Sequence, residues 1–172
     1  AFGYEALMSI TTAGGATAFG HKAGRASQVN ICAMGAESAF KTSTGIYNSA
    51  FGNYSLSENT TGSNNTAIGY LSLYANTTGD NNTALGKGAL DANTTASNNT
   101  AIGLDALTAN TTGTANVAVG KDALKSNATH SNCTALGAFA LEDSTAAGNT
   151  AVGEVSANKT TTGTENTAFC LL

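Results

Sequence analysis

The chain has 172 residues, a formal net charge of -4, 10% charged and 41% apolar residues, and neither Pro nor Trp. Seven Lys and Arg residues against eleven acidic ones leave no basic stripe of the kind that nucleic acid or an anionic membrane surface requires. No segment nears the roughly 20 successive apolar residues of a membrane-spanning helix, and so much of the apolar fraction is Ala that any core must be thin.

From its first residues the chain repeats itself. Glycines stand at Gly3, Gly20, Gly35, Gly52, Gly69, Gly86, Gly103, Gly120, Gly137 and Gly153, with Cys170 in the eleventh place. Most steps are 17 residues, the step from Gly20 to Gly35 is 15, and that from Gly137 to Gly153 is 16. A fixed period of this size marks a repeat array, here one domain over residues 1–172. Two places before each glycine stands Ala, and one place before it a larger apolar residue such as Phe2, Phe19, Met34 or Phe51. Four places after it comes a column that is mostly Leu, and Asn-Thr-Thr-Gly closes many units.

Seventeen residues cannot supply two amphipathic helices of about ten residues each, and Asn, Thr and Gly favour corners over helices. The expected fold is therefore all-β, a parallel β-solenoid of about eleven coils. A coil of this length, at roughly 3.3 Å per residue, closes a flattened loop with two strand faces, and stacked Asn amides hydrogen-bond from coil to coil. The larger apolar column, with Phe51, Ile68, Leu85, Ile102, Val119 and Leu136, is expected inside the coil together with Leu73, Leu90, Leu107 and Leu124. Alternation along a strand then turns the Ala column outward. Ala50, Ala67, Ala84, Ala101, Ala118, Ala135 and Ala151 are thus expected to pack against a second copy of the rod, about a symmetry axis.

The first irregular copy carries His21-Lys22-Ala23-Gly24-Arg25, the one locally basic stretch, read as a solvated corner. Cys32, Cys133 and Cys170 fall in three different columns and read as substitutions within the repeat, with no disulfide or metal spacing. From Asn59 onward Asn-x-Thr recurs at Asn64, Asn76, Asn81, Asn93, Asn98, Asn110, Asn127, Asn132 and Asn158, a pattern that the repeat generates by itself. Asp105 and Asp122 share a column beside Lys121, and His130 has no nucleophile at fixed spacing. No residue is assigned to catalysis, a cofactor or a metal, and the chain is read as a non-enzyme. Two Thr columns, through Thr61 and Thr78 and through Thr66 and Thr83, raise ice binding as a minor alternative. Both ends lie inside a repeat, which reads as a piece of a longer fibre protein or a subunit that abuts its neighbours.

The phrases NNTAIGYLSLYANTTGDNNTALGKGAL and NTAIGLDALTANTTG resemble the Asn-Thr-Ala-x-Gly-x-x-Ala-Leu repeats of bacteriophage tail fibres and, more distantly, the head repeats of trimeric autotransporter adhesins. The resemblance is clearest from Ala50 to Gly153. It implies a left-handed β-roll assembled as a side-by-side trimer, exposed outside a cell or on a virion. It also implies attachment, with a cell-surface receptor or glycan as partner of the assembly. A self-assembling filament or sheath subunit stacked end to end is the alternative expectation.

Overall fold

The structure, a computed structural model, describes residues 1–9, 14–26, 30–159 and 162–170. Ten short strands follow one another: β1 (Thr17–Phe19), β2 (Ile31–Met34), β3 (Asn48–Phe51), β4 (Thr66–Ile68), β5 (Thr83–Leu85), β6 (Thr100–Ile102), β7 (Val117–Val119), β8 (Thr134–Leu136), β9 (Thr150–Val152) and β10 (Thr167–Phe169). All ten pair in parallel in one sheet, in chain order, and a bridge from Phe2 to Phe19 adds a rung before β1. The fold is a β-solenoid. Register follows the repeat, so that Ala67 pairs with Ala84 and Ala84 with Ala101. The shortened copies do not shift it: Ala18 still pairs with Ala33, and Ala135 with Ala151. The residues missing from a short copy are thus removed from its corners and not from its strand.

Each coil contains one strand, where two faces were expected. After the strand the chain turns at a glycine such as Gly69, whose φ of +131° no side chain adopts comfortably; a Cβ there would meet the Gly86 carbonyl oxygen at 2.5 Å. The return segment then places residues two and four positions later in the left-handed region, as at Leu71 (φ 58°) and Leu73 (φ 50°), or Asp105 (φ 52°) and Leu107 (φ 51°). That alternation aims successive amides at different neighbours. Leu71 N–H donates to Asn53 O of the preceding coil (3.2 Å), and Leu73 N–H donates to Ala89 O of the next (3.0 Å). A left-handed Leu costs about 1–2 kcal/mol. Full burial of its side chain contributes about 1.5–3 kcal/mol, and the two backbone bonds stay made.

The interior reverses one expectation and keeps another. Leu73, Leu90, Leu107 and Leu124 are fully buried, as expected of them. Ala50, Ala67, Ala84, Ala101, Ala118, Ala135 and Ala151 are also fully buried, so this column packs inside the coil and not against another rod. Phe51, Ile102 and Val119 are half-buried, and Ile68, Leu85 and Leu136 are exposed, so the larger column points outward. The reason is thickness. The Leu column of the return segment faces the strand directly and fills the lumen; at Gly24, in that column, a Cβ would lie 3.8 Å from the methyls of Ala18 and Ala33. Only a methyl fits opposite a Leu across so narrow a coil.

Strand alternation turns Asn inward along with Ala: in Asn65-Thr66-Ala67-Ile68, Asn65 and Ala67 are buried while Thr66 and Ile68 face out. The Asn65 Oδ1 accepts the Asn82 amide at 3.0 Å, and Asn82 Oδ1 accepts that of Asn99 at 3.0 Å. A second file approaches from the other corner, with Asn76 Nδ2 donating to Asn59 Oδ1 (2.9 Å) and Asn93 Nδ2 donating to Asn76 Oδ1 (2.8 Å). Both files donate to the same carbonyl, Gly79 O, from Asn65 Nδ2 at 2.8 Å and from Asn76 Nδ2 at 3.0 Å. The expected amide ladders are present, and they form a hydrogen-bonded polar end to the core.

Candidate functional site: the outer face of the sheet

The outward side of each strand presents one Thr and one bulky apolar residue. Thr66, Thr83, Thr100, Thr134 and Thr150 form a half-buried file, and beside it runs a file of larger residues, among them Phe19 (53% exposed), Ile68 (38%), Leu85 (45%) and Leu136 (38%). Just past the turning glycine, Tyr54, Tyr70 and Leu104 extend the apolar surface. Neighbours in these files touch: the Phe2 and Phe19 rings stack with centroids 4.9 Å apart, and Tyr54 meets Tyr70 edge-on at 6.3 Å. Scattered surface hydrophobics need no explanation, but an in-register apolar stripe of this kind is a candidate interaction face.

No carboxylate or cation stands in this file itself. The ion pairs lie on the return segment: Lys41 with Glu58, and Asp122 with Lys125 at 3.0 Å and Lys121 at 3.8 Å. The Asp122 partner raises the Lys125 ammonium above the ordinary lysine value, first through the hydrogen bond and then through its charge. Burial pushes the Asp91 carboxyl above the ordinary carboxylate range, and the charge of Asp105 adds to it. The shared column of Asp105 and Asp122 is real, but Asp122 is nearly fully buried and ion-paired with Lys125. Among the described residues no group of three or more His, Cys, Asp or Glu is placed to hold a metal ion.

The remaining marked residues find structural places. His21 is exposed and stacks on Tyr4 with centroids 5.5 Å apart, and Arg25 pairs with Glu5 at 3.0 Å. Cys32 sits in the outward Thr file, in register with Thr17 and Ser49. Cys133 replaces an Asn of the inner file, its amide bound to Asn116 Oδ1 at 3.0 Å, and Cys170 is exposed. The His130 carbonyl takes the role of Gly79 O, accepting from Asn116 Nδ2 at 2.9 Å and Asn127 Nδ2 at 3.1 Å.

The Thr-Thr corner is divided between two jobs. The first hydroxyl of each pair donates to the next coil, as from Thr77 to Thr94 O at 3.0 Å, while the second, as at Thr78, is exposed. Neither this corner nor the sheet presents the doubled, flat Thr file that an ice-binding surface of two outward Thr per coil requires. The left-handed Leu positions and the Tyr residues beyond the turning glycine were missed by the sequence reading; Gly24 and Gly88, which stand in the two left-handed columns, were the available signal. Among the described residues no helix is long and apolar enough to cross a membrane. Comparison with protein-family models, curated proteins and solved structures gives no match to this chain.

Proposed function

We propose that the chain is a structural repeat region of an extracellular or virion-associated fibre, assembled side by side through the outer sheet face, with attachment as the work of the assembly. The observation that carries this reading is the outward apolar file running from Phe2 to Phe169 at one residue per coil. Water gives such a file no stabilisation, and a surface matching it rung for rung must share its spacing of about 4.8 Å. A second copy has that spacing by construction, and rotational symmetry places like against like. Three copies are favoured by the resemblance of the Asn-Thr-Ala-x-Gly phrases to the fibre and adhesin repeats. Attachment then follows from multivalency, since a stiff rod holds its polar corners in register and weak contacts add through effective concentration.

The assembly face proposed here is the Ile68, Leu85 and Ile102 column, in place of the Ala column. Light scattering and sedimentation of the purified chain test it. A discrete side-by-side oligomer that becomes monomeric, with an unchanged circular dichroism spectrum, in the Ile68→Lys, Leu85→Lys, Ile102→Lys variant supports the reading. A monomeric wild-type chain overturns it, and filaments of indefinite mass that survive the triple substitution replace it with end-to-end stacking.

A further inference from the structure

The Asn-x-Thr matches separate into two structural classes. Asn59, Asn76, Asn93, Asn110 and Asn127 are buried, and their Nδ2 groups donate inside the coil, as from Asn93 Nδ2 to Asn76 Oδ1 at 2.8 Å and to Ala96 O at 3.0 Å. Asn158 spends its amide on Glu142 Oε2 at 3.1 Å. By contrast, Asn64, Asn81, Asn98 and Asn132 are exposed. They occupy a corner in the left-handed conformation, with φ of 58°, 58°, 63° and 62°. Their side chains make no hydrogen bond to a described residue, and the Thr two places on in each case lies on the outward side of its strand. One further match, Asn53-Tyr54-Ser55, lacks an accessible hydroxyl, because Ser55 is buried and donates to Gly52 O at 2.8 Å.

We infer that the folded chain carries N-linked sugar acceptor positions at Asn64, Asn81, Asn98 and Asn132 and at none of the other matches. The chemistry asks for a free carboxamide and a reachable hydroxyl two residues on. The Asn Nδ2 attacks C1 of a sugar activated as a glycosyl diphosphate. The C1–O bond breaks, the diphosphate leaves with the electron pair, and the Nδ2 proton passes to a base of the transferase. A sugar on a buried ladder amide would instead remove an Nδ2–H already used in the core and have no volume to occupy.

The geometry also sets occupancy. Asn64, Asn81 and Asn98 lie in successive coils, about 4.8 Å apart, which is too close for three branched glycans side by side. Asn132 is flanked in its file by Ala115 and Gly148, so its neighbouring corners are empty. It is therefore the position of fullest occupancy, and the three neighbours share a partial one.

The test is secretion of the chain from a host that N-glycosylates, followed by peptide mapping of the soluble, solenoid-folded fraction after enzymatic deglycosylation. Sugar confined to the four corner positions, with Asn132 the most occupied, is the expected result. The variant Asn64→Gly, Asn81→Gly, Asn98→Gly, Asn132→Gly, which keeps a residue suited to the left-handed corner, should lose the whole mass increment and keep its melting temperature. Sugar on Asn76 or Asn93 of the folded fraction overturns the inference, as does a folded wild-type chain that carries none at all.

Discussion

Replacing Ala84 by Leu tests the orientation of the strand directly. Ala84 is fully buried, in register with Ala67 and Ala101 of the adjoining coils, and it shares the interior with the fully buried Leu73 and Leu90. Three added carbons have no lumen to enter, and overpacking of this kind costs about 1–3 kcal/mol. In an array stabilised by neighbour interfaces the distortion falls on two of them, which puts the expected cost at the upper end of that range. Leu85→Ala, one residue along, removes an outward side chain that is 45% exposed. Because only about half of that side chain is buried in the single rod, the rod should weaken by roughly 1 kcal/mol. Urea unfolding followed by circular dichroism, repeated over a series of protein concentrations, separates rod stability from assembly, since only the assembled contribution depends on concentration. Ala84→Leu is expected to lower the midpoint at every concentration, whereas Leu85→Ala lowers mainly its concentration dependence. An Ala84→Leu chain that unfolds at the wild-type urea concentration while losing its assembled state would place Ala84 on the outside and refute the reasoning.

The inner amide ladder is open to the same measurement. Asn76→Ala deletes bonds to Asn59 and Gly79 and leaves one of the two Asn93 Nδ2 hydrogens unpaired, the other staying on Ala96 O, so a loss of about 2–3 kcal/mol in unfolding free energy is expected. Gly69→Ala places a methyl 2.5 Å from the Gly86 carbonyl oxygen at a φ of +131°, and should abolish cooperative unfolding of the adjoining coils in native-state hydrogen exchange. For Asp91, whose folded-state pKa is raised by burial and by Asp105, the folded chain binds the proton more readily than the unfolded one. Its contribution to stability therefore falls as pH rises from the ordinary carboxylate value through the raised one. Asp91→Asn should melt higher than wild type at neutral pH, and the difference should vanish in acid. A variant that melts lower at neutral pH would show that the carboxylate is not opposed by its surroundings.

The solenoid was legible because its information is periodic. A glycine every 17 residues, with Ala before it, sets the strand register even where a copy is short, and Asn at a constant offset announces the ladders. The side of the strand that faces inward was not read correctly from residue size. In Asn65-Thr66-Ala67-Ile68, Asn and Ala share one parity and Thr and Ile the other, so an inward Ile would also bury Thr and expose the ladder amide. The ladder could have settled the orientation, since stacked amides gain most when shielded from water. The left-handed return segment was less accessible. Leu is a poor residue for positive φ, and it stands there because its side chain must fill the lumen while its amide reaches the next coil. Tertiary burial overrides local preference at these positions, and a local reading of Leu-rich segments cannot see it.

The two faces of the strand differ in how much variation they admit, and that difference bears on assembly. Inside, the column is Ala at every described rung from Ala18 to Ala168, because each methyl packs between those above and below and opposite the same wall. Outside, the adjoining column runs through Phe, Met, Ile, Leu and Val and stays apolar throughout. A ligand common to all coils would demand one residue type in that column, and solvent would admit polar ones. Packing about an axis parallel to the rod asks for something else. Each rung meets its own counterpart at the same height, so Phe faces Phe and Val faces Val, and a change of size at one rung changes both sides together. The constraint on the outer column is then apolarity without a fixed shape. The pattern observed from Phe19 to Phe169 has that form, which is why the proposed contact is between equivalent faces of like copies and not between one rod and an unrelated surface.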